Sequence, residues 1–383
     1  MKNHLYQIFV ISLGLILYGC TDKSNLVKLQ SENSDCLSPM YRIKNSPLTS
    51  ISSNWGINLN IHHPSEKQSI LCEFNYSTNQ FKMVDLLKDE IIKIIEFPGI
   101  IKKIGSISVG DANNFAFLTD TTFYVYKDNR FKRINHANFN DGYIPLNYIN
   151  IIYKPEENKL ISGVLSYSKR KVGELDYSSF FLNVYDIKTM KSTLIPFSYP
   201  KQFHGNKLGI PKVYLTEREN DLIVSFELDD NIYKINLKTN KVDSISCKSG
   251  VSNINDAQFP NDGNKQSKVD AIQRNSLNVG GYGMAFFNKE KNKFYRLYRP
   301  GLPIKDKDGA FYNSTDRGTH IIELDVSNNK IKEIQLANGQ YYVPTHWSYN
   351  TFSNNLTYPK LEEHVTKKNL CFYNIHSIFV FNQ

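Results

Sequence analysis

The stretch Ile235-Asn-Leu-Lys-Thr-Asn-Lys-Val-Asp-Ser-Ile245 decides how the rest of the chain is read. Two apolar residues one apart, Ile235 and Leu237, lead into a polar turn, and a second strand closes on Ile245. A hairpin that tight needs a residue tolerant of positive φ, and asparagine adopts that conformation more cheaply than other non-glycine residues. Asn240 stands at that position. The template recurs in Phe74 to Val84, Tyr124 to Ile134, Tyr185 to Ile195 and Leu324 to Ile334, with Asn79, Asn129 and Asn329 in the turn. Met190 breaks the rule, so the copy that starts at Tyr185 is expected to turn differently.

Before most copies lies another strand pair. Lys212 to Leu215 precedes Leu222 to Leu228 around Arg218-Glu-Asn-Asp221, and Met284 to Phe287 precedes Lys293 to Tyr298 around Lys289-Glu-Lys-Asn292. The unit therefore has four strands. Its anchors at 74, 124, 185, 235 and 324 are separated by 50, 61, 50 and 89 residues. Four-stranded units at such intervals indicate an all-β chain folded as a β-propeller of antiparallel blades. The long last interval requires insertions, placed at Gly250 to Gly281 and Arg299 to Gly318. Residues 341–383 supply one more blade, with Asn369 to Tyr373 and Ser377 to Phe381 as its clearest strands, which makes six. A strand near Met40 to Ile43 would complete that blade and remove exposed edges. Twenty-four tyrosines and 23 phenylalanines suit strands better than helices. The competing architecture is a β-sandwich or a pair of β domains.

Ahead of the repeats, Lys2 precedes an apolar run from Leu5 to Leu17 that stops at Gly19-Cys20 and turns polar at Thr21. The run is too short for a membrane span and has the length of a signal peptide. Leu17-Tyr18-Gly19-Cys20 matches a lipobox, so residues 1–19 are read as signal peptide and Cys20 as the acylated first residue of the mature chain. Residues 20–38 form the tether and residues 39–383 the propeller domain. Acyl chains on Cys20 would hold the protein at a lipid membrane. The expected location is the cell envelope, at the outer membrane. No acidic cluster follows Thr21, and both periplasmic and surface-facing orientations stay open.

Lipobox, tether and six diverged blades, with strands of the Ile232-Tyr-Lys-Ile-Asn-Leu237 type before Lys-Thr-Asn-Lys, resemble the TolB-like six-bladed propeller lipoproteins. The resemblance runs from about residue 38 to the end of the chain. It implies a fold and a compartment and assigns no catalytic residue.

Charge and motifs narrow the function. The formal charge of +9 falls to +8 once the signal peptide removes Lys2, and acids intersperse the basic residues, which argues against a nucleic-acid groove. His-Glu-x-x-His, Gly-x-Ser-x-Gly, Gly-x-Gly-x-x-Gly and Cys-x-x-Cys are all missing from the sequence. No catalytic residue, cofactor or metal ligand is therefore assigned. His62 and His63 are adjacent on a strand and point to opposite faces, which prevents easy chelation. Asp306, Asp308 and Asp316 read as a solvated turn rather than a calcium loop. Gly280-Gly281-Tyr282-Gly283 would either bring backbone close to a partner or bend the chain into a strand, and the second reading is preferred. Arg296, Arg299, Tyr341, Tyr342, His346 and Trp347 are candidates for the central funnel. Cys36, Cys72, Cys247 and Cys371 are expected as free thiols, with Cys72 and Cys371 the one pairing worth testing. The functional expectation is a non-enzymatic binding or scaffolding propeller for an envelope protein, peptide or glycan. The alternative is an envelope hydrolase or lyase with its site in the funnel.

Overall fold

A computed structural model describes residues 37–42, 59–65, 68–75, 79–85, 90–97, 104–119, 122–135, 143–146, 149–166, 180–201, 212–218, 220–254, 278–288, 291–303, 307–309, 317–336, 348–350, 355–367 and 370–381, with Lys88 and Gly99. The chain enters through β1 (Leu37–Arg42). Blade 1 follows as β2 (Leu59–Ser65), β3 (Gln68–Asn75), β4 (Gln80–Asp85) and β5 (Glu90–Glu96). Blade 2 is β6 (Ser106–Asp111), β7 (Asn114–Leu118), β8 (Thr122–Lys127) and β9 (Arg130–Asn135). Blade 3 contains β10 (Tyr143–Pro145), β11 (Ile152–Lys154), β12 (Lys159–Ser166), β13 (Phe180–Asp186) and β14 (Lys191–Ile195). Its first two strands lie end to end along β12, as one interrupted strand. Blade 4 is β15 (Val213–Arg218), β16 (Asp221–Phe226), β17 (Asn231–Asn236) and β18 (Val242–Ser246). Blade 5 is β19 (Gly281–Asn288), β20 (Lys293–Arg299), β21 (Thr319–Asp325) and β22 (Lys330–Leu336). A terminal sheet is ordered β1, β25 (Leu370–Phe381), β24 (Asn355–Lys367) and β23 (Ser348–Asn350). Every pairing is antiparallel, and the chain is a β-propeller of four-stranded blades.

The turns follow from local chemistry. Asp186 Oδ1 accepts the Thr189 N–H (2.7 Å), Asn236 Oδ1 that of Thr239 (2.9 Å) and Asp325 Oδ1 that of Ser327 (2.9 Å), which starts the outer hairpins of blades 3, 4 and 5 with a side chain that imitates backbone. Four residues after Asn236 and Asp325, Asn240 and Asn329 hold φ of 57° and 56°, and Asn129 in the outer hairpin of blade 2 holds 60°. Met190 corrects the expectation of a different turn, because its φ is also 60°. Tyr185 Oη donates to its sulfur at 3.1 Å, which ties the strained residue to its own strand. Asn79, with φ of 54°, is out of phase: it joins β3 to β4, the middle pair of blade 1, rather than the outer pair.

The apolar residues are buried between blades. One core joins Phe81, Met83 and Phe97 of blade 1 to Phe115 and Phe117 of blade 2, with the Phe97 and Phe117 rings edge to face at 4.6 Å. Further cores join blades 2 and 3, blades 3 and 4, and blades 4 and 5. A four-stranded sheet cannot bury both faces alone, so each uses its neighbours. First strands lie against first strands around the structure: β23 on β2, β2 on β6, β6 on β11, β11 on β15 and β15 on β19. Side chains complete the hydrogen bonds these strands lack. Ser106 and Ser108 of β6 accept the N–H groups of Ile151 and Tyr153, each at 2.9 Å, and Asn150 Oδ1 accepts that of Leu215 at 2.7 Å.

Five blades of consecutive strands correct the count of six. The terminal sheet differs from them in build, joining the two ends of the described chain through strands of 13 and 12 residues that carry register shifts. The strand expected near Met40 exists as β1 and pairs with β25.

The two ends of the blades are unlike. Pairing of Gly281 with Arg299, Thr319 with Leu336 and Asn231 with Ser246 puts connections 227–230, 247–280 and 300–318 at one end. The opposite end carries the short turns 237–241 and 326–329 of the outer hairpins and 289–292 of the first hairpin in blade 5. There Ile187, Leu237 and Val326 donate their N–H groups to Asn158, Asn220 and Asn292 carbonyls at 2.8, 2.8 and 3.0 Å, locking together the two turns of blades 3, 4 and 5.

Candidate functional site

The long-connection end of blades 4 and 5 gathers half of the buried polar and charged residues among the described ones. It begins with β20, where Phe294, Arg296 and Tyr298 alternate onto the face turned toward blade 4. Arg296 is fully buried. Its Nε donates to Ser225 Oγ (3.0 Å), and Nη2 to the carbonyls of Phe226 (3.0 Å) and Asp229 (2.7 Å). The guanidinium stacks 3.7 Å from the centroid of the Tyr282 ring. All of those hydrogen-bond acceptors are in blade 4, so Arg296 is an inter-blade clamp and not a funnel-lining residue. Burial pulls its pKa down.

The same seam fixes the stems of both insertions. Tyr282 Oη accepts the Ser249 N–H (3.0 Å) and donates to Asp230 Oδ1 (2.6 Å). The phenol's pKa is raised by burial and by that carboxylate. Asn253 spans the first insertion: Nδ2 donates to the Asn278 carbonyl (2.8 Å) and Oδ1 accepts the Gly280 N–H (2.7 Å). Gly280 must be glycine because a Cβ there would lie 1.9 Å from Tyr298 Oη, a closer approach than its reading as a simple bend supposed. Arg317 joins the two stems. Nη2 donates to the carbonyls of Val279 and Arg299, both at 2.8 Å, and Nε to that of Pro300 at 3.0 Å. Burial first, and then the positive charge of Arg299, lower its pKa to about 10.

His320 and Glu333, on the outer strands β21 and β22, form a third group. His320 Nδ1 lies 2.7 Å from Glu333 Oε1, which also accepts from Ser249 Oγ (2.6 Å), while Oε2 accepts the Gly250 N–H (2.8 Å). Burial pushes the Glu333 carboxyl up, but the bonds from His320, Ser249 and Gly250 outweigh it and hold the pKa below the usual range. Here the serine bonds the carboxylate and not the imidazole, so the trio lacks the nucleophile-to-base contact of acyl-transfer sites. It fastens the loop after blade 4 to blade 5.

At the opposite end of the inner strands, Lys154 of β11 bridges Glu157 and Glu217 of β15, the latter at 2.6 Å. Burial raises the Glu217 pKa despite the lysine. The Lys154 pKa is also raised: burial works against this, and the two carboxylates prevail.

Other sequence candidates fare variously. Arg299 is half-buried at the end of β20, beside Arg317. Cys72 and Cys247 are buried free thiols, and burial raises the pKa of both, that of Cys247 to about 12. A Cys72–Cys371 disulfide is therefore absent. Cys20, Cys36, Tyr341, Tyr342, His346, Trp347, Asp306 and Asp316 lie outside the described residues. His62 and His63 sit on β2, where the register shifts after His62. Among the described residues no group of three His, Cys, Asp or Glu is placed to hold a metal ion. Sequence reading missed Arg317, His320, Glu333 and Asp230. A charged residue at a strand position that alternation assigns to the interior, as with Arg296 between Phe294 and Tyr298, is the signal that marks such clamps.

A family model described as a domain of unknown function, DUF4221, matches residues 40–354. Among solved structures, the crystal structure of a DUF4221 family member from Bacteroides vulgatus superposes with a TM-score of 0.59 at 13% identity, covering 90% of this chain and 97% of that one. That likeness shows the propeller fold. Regucalcin from Agrobacterium tumefaciens, described as a calcium-binding protein, superposes at a TM-score of 0.43 and 10% identity over 91% of this chain and 96% of its own. No curated protein matches the chain. The TolB-like label is not supported by these matches, and DUF4221 takes its place.

Proposed function

We infer that this chain, which belongs to the DUF4221 family, is an envelope lipoprotein that acts as a binding or scaffolding propeller, with its long-connection end as the partner-holding face. The observation that carries this reading is the single network of Arg317, Asn253 and Tyr282, which anchors the stems of both insertions at one end of the molecule. Fixed stems reduce the conformational freedom that a partner would have to restrict, which lowers the entropic cost of binding. Acyl chains on Cys20 supply the membrane attachment, and the terminal sheet joins the two ends of the described chain by pairing β1 with β25.

An acyl-cysteine at position 20 is the expected N-terminus of the mature protein by mass spectrometry. A photo-reactive side chain in place of exposed Lys212 or Lys248 is expected to capture one specific envelope protein, peptide or glycan. Capture should fall when Arg317→Ala releases the stems, and capture indifferent to Arg317 overturns the reading. A hydrolase or lyase at the axis would draw instead on Lys154 and Glu217, the ion pair that joins two inner strands. Turnover of an envelope glycan or peptide that Glu217→Gln abolishes would establish that alternative.

A further inference from the structure

We propose that the tight-turn end of the propeller is a membrane-docking face that sits on an anionic lipid surface. This rests on the lipoprotein reading above and adds an orientation to it. Three observations converge.

The first is where the tether leaves. In the terminal sheet β23 holds the first-strand place, lying against β2 as each first strand lies against the next, and from that place we infer that it runs in their common sense. β24 then leads away from the tight-turn end and β25 returns to it, so Phe381 falls there. Leu37, the first residue of β1, pairs with Phe381. The segment from Cys20 therefore joins the fold at the tight-turn end, and that end meets the bilayer without the tether having to pass the blades.

The second is charge. At the outer hairpin of four successive blades a basic residue follows the positive-φ position: Arg130, Lys191, Lys241 and Lys330. Lys188, Lys238 and Lys332 stand beside them, and all seven are exposed. Lys241 pairs with Asp243 at 3.1 Å, while the other six make no ion pair among the described residues. Of the acids at this end, Asp186 and Asp325 are taken up as acceptors inside their own turns and Glu157 pairs with Lys154 and Lys159, while Asp128 and Glu156 are exposed, fewer than the basic residues around them. Basic side chains without carboxylate partners near a bilayer are attracted to anionic headgroups.

The third is apolar. Met190, in the turn of blade 3, and Val242 and Ile331, two residues past the turn asparagines of blades 4 and 5, are 40%, 39% and 37% exposed. Each adjoins one of those lysines, namely Lys191, Lys241 or Lys330. Lysine beside an exposed apolar side chain, repeated on one rim, is the composition that rests in a headgroup layer. An acidic protein would account for the charge alone; the apolar members and the tether favour lipid.

The test uses the full lipidated chain on vesicles of phosphatidylcholine alone and on vesicles that also contain phosphatidylglycerol. The acyl anchor holds the protein to both, so the neutral vesicles separate anchoring from docking. Lysine-reactive labelling is read residue by residue. Lys188, Lys191, Lys238 and Lys330 are expected to react at least about fivefold more slowly on the anionic vesicles, with the protection lost in high salt. Lys212 and Lys248, at the other end, should react equally on both. Equal labelling of the rim on the two vesicles, or protection of Lys212 and Lys248 instead, overturns the proposal. Failure of the lipoprotein reading has a different signature: the chain then fails to sediment with neutral vesicles. In that case sedimentation with anionic vesicles, abolished by the combined change Lys188→Gln, Lys191→Gln, Lys238→Gln and Lys330→Gln, still supports the docking face, and no sedimentation with either overturns it.

Discussion

Met190 adopts a left-handed backbone that the neighbouring blades give to asparagine, at a cost of about 1–2 kcal/mol for a residue with an ordinary side chain. Met190→Asn is therefore expected to raise stability by about 0.5–1 kcal/mol, read from urea unfolding, even though it removes the contact with Tyr185. An unchanged or lower midpoint would show that the sulfur contact matters more than the backbone. Arg296 poses the opposite case, a charge buried without a carboxylate and satisfied by carbonyls, a hydroxyl and a ring. Arg296→Ala strands those acceptors and should cost about 3 kcal/mol or more. Arg296→Lys should not recover it, because one ammonium cannot span Ser225, Phe226 and Asp229 as the planar guanidinium does.

At the scale of elements, the loop after β18 is held to β21 and β22 by a carboxylate whose pKa the fold depresses. A depressed acid contributes stability above its unfolded pKa of about 4.3, and this contribution disappears as pH falls through the lower folded value. Stability should accordingly drop between about pH 5 and pH 3, and Glu333→Gln should lower it at neutral pH while flattening that acid limb. An acid limb of the same steepness in Glu333→Gln would locate the effect elsewhere. The hairpins themselves were legible in the sequence because a turn and its two strands occupy a dozen consecutive residues. Their phase was not, since Phe74 to Val84 fits the template as well as the outer hairpins do and yet forms the middle pair of its blade.

For the whole molecule, radial stacking puts the largest apolar residues between blades, so core truncations should propagate across two blades at once. Phe226→Ala, in the core shared by blades 3 and 4, is expected to cost about 3–5 kcal/mol, seen as a lowered thermal midpoint. The terminal sheet connects the two ends of the described chain, and deletion of residues 37–42 would leave the edge of β25 unpaired. Such a variant should melt earlier and less cooperatively than the intact chain; an unaltered transition would mean that β1 does not close the structure.

Sequence by itself determined the all-β class, the four-stranded unit, the positions of two insertions and most turn residues, because alternation and positive φ are properties of neighbours along the chain. Tertiary structure alone decided that Arg296 is a clamp, that Arg317 joins both insertions, that Met190 turns like asparagine and that five blades are consecutive. The partners concerned are far apart in sequence: 70 residues separate Arg296 from Phe226 and 84 separate Ser249 from Glu333. Only the stacking of finished blades brings such groups within hydrogen-bond reach, and no local pattern encodes which of them will meet.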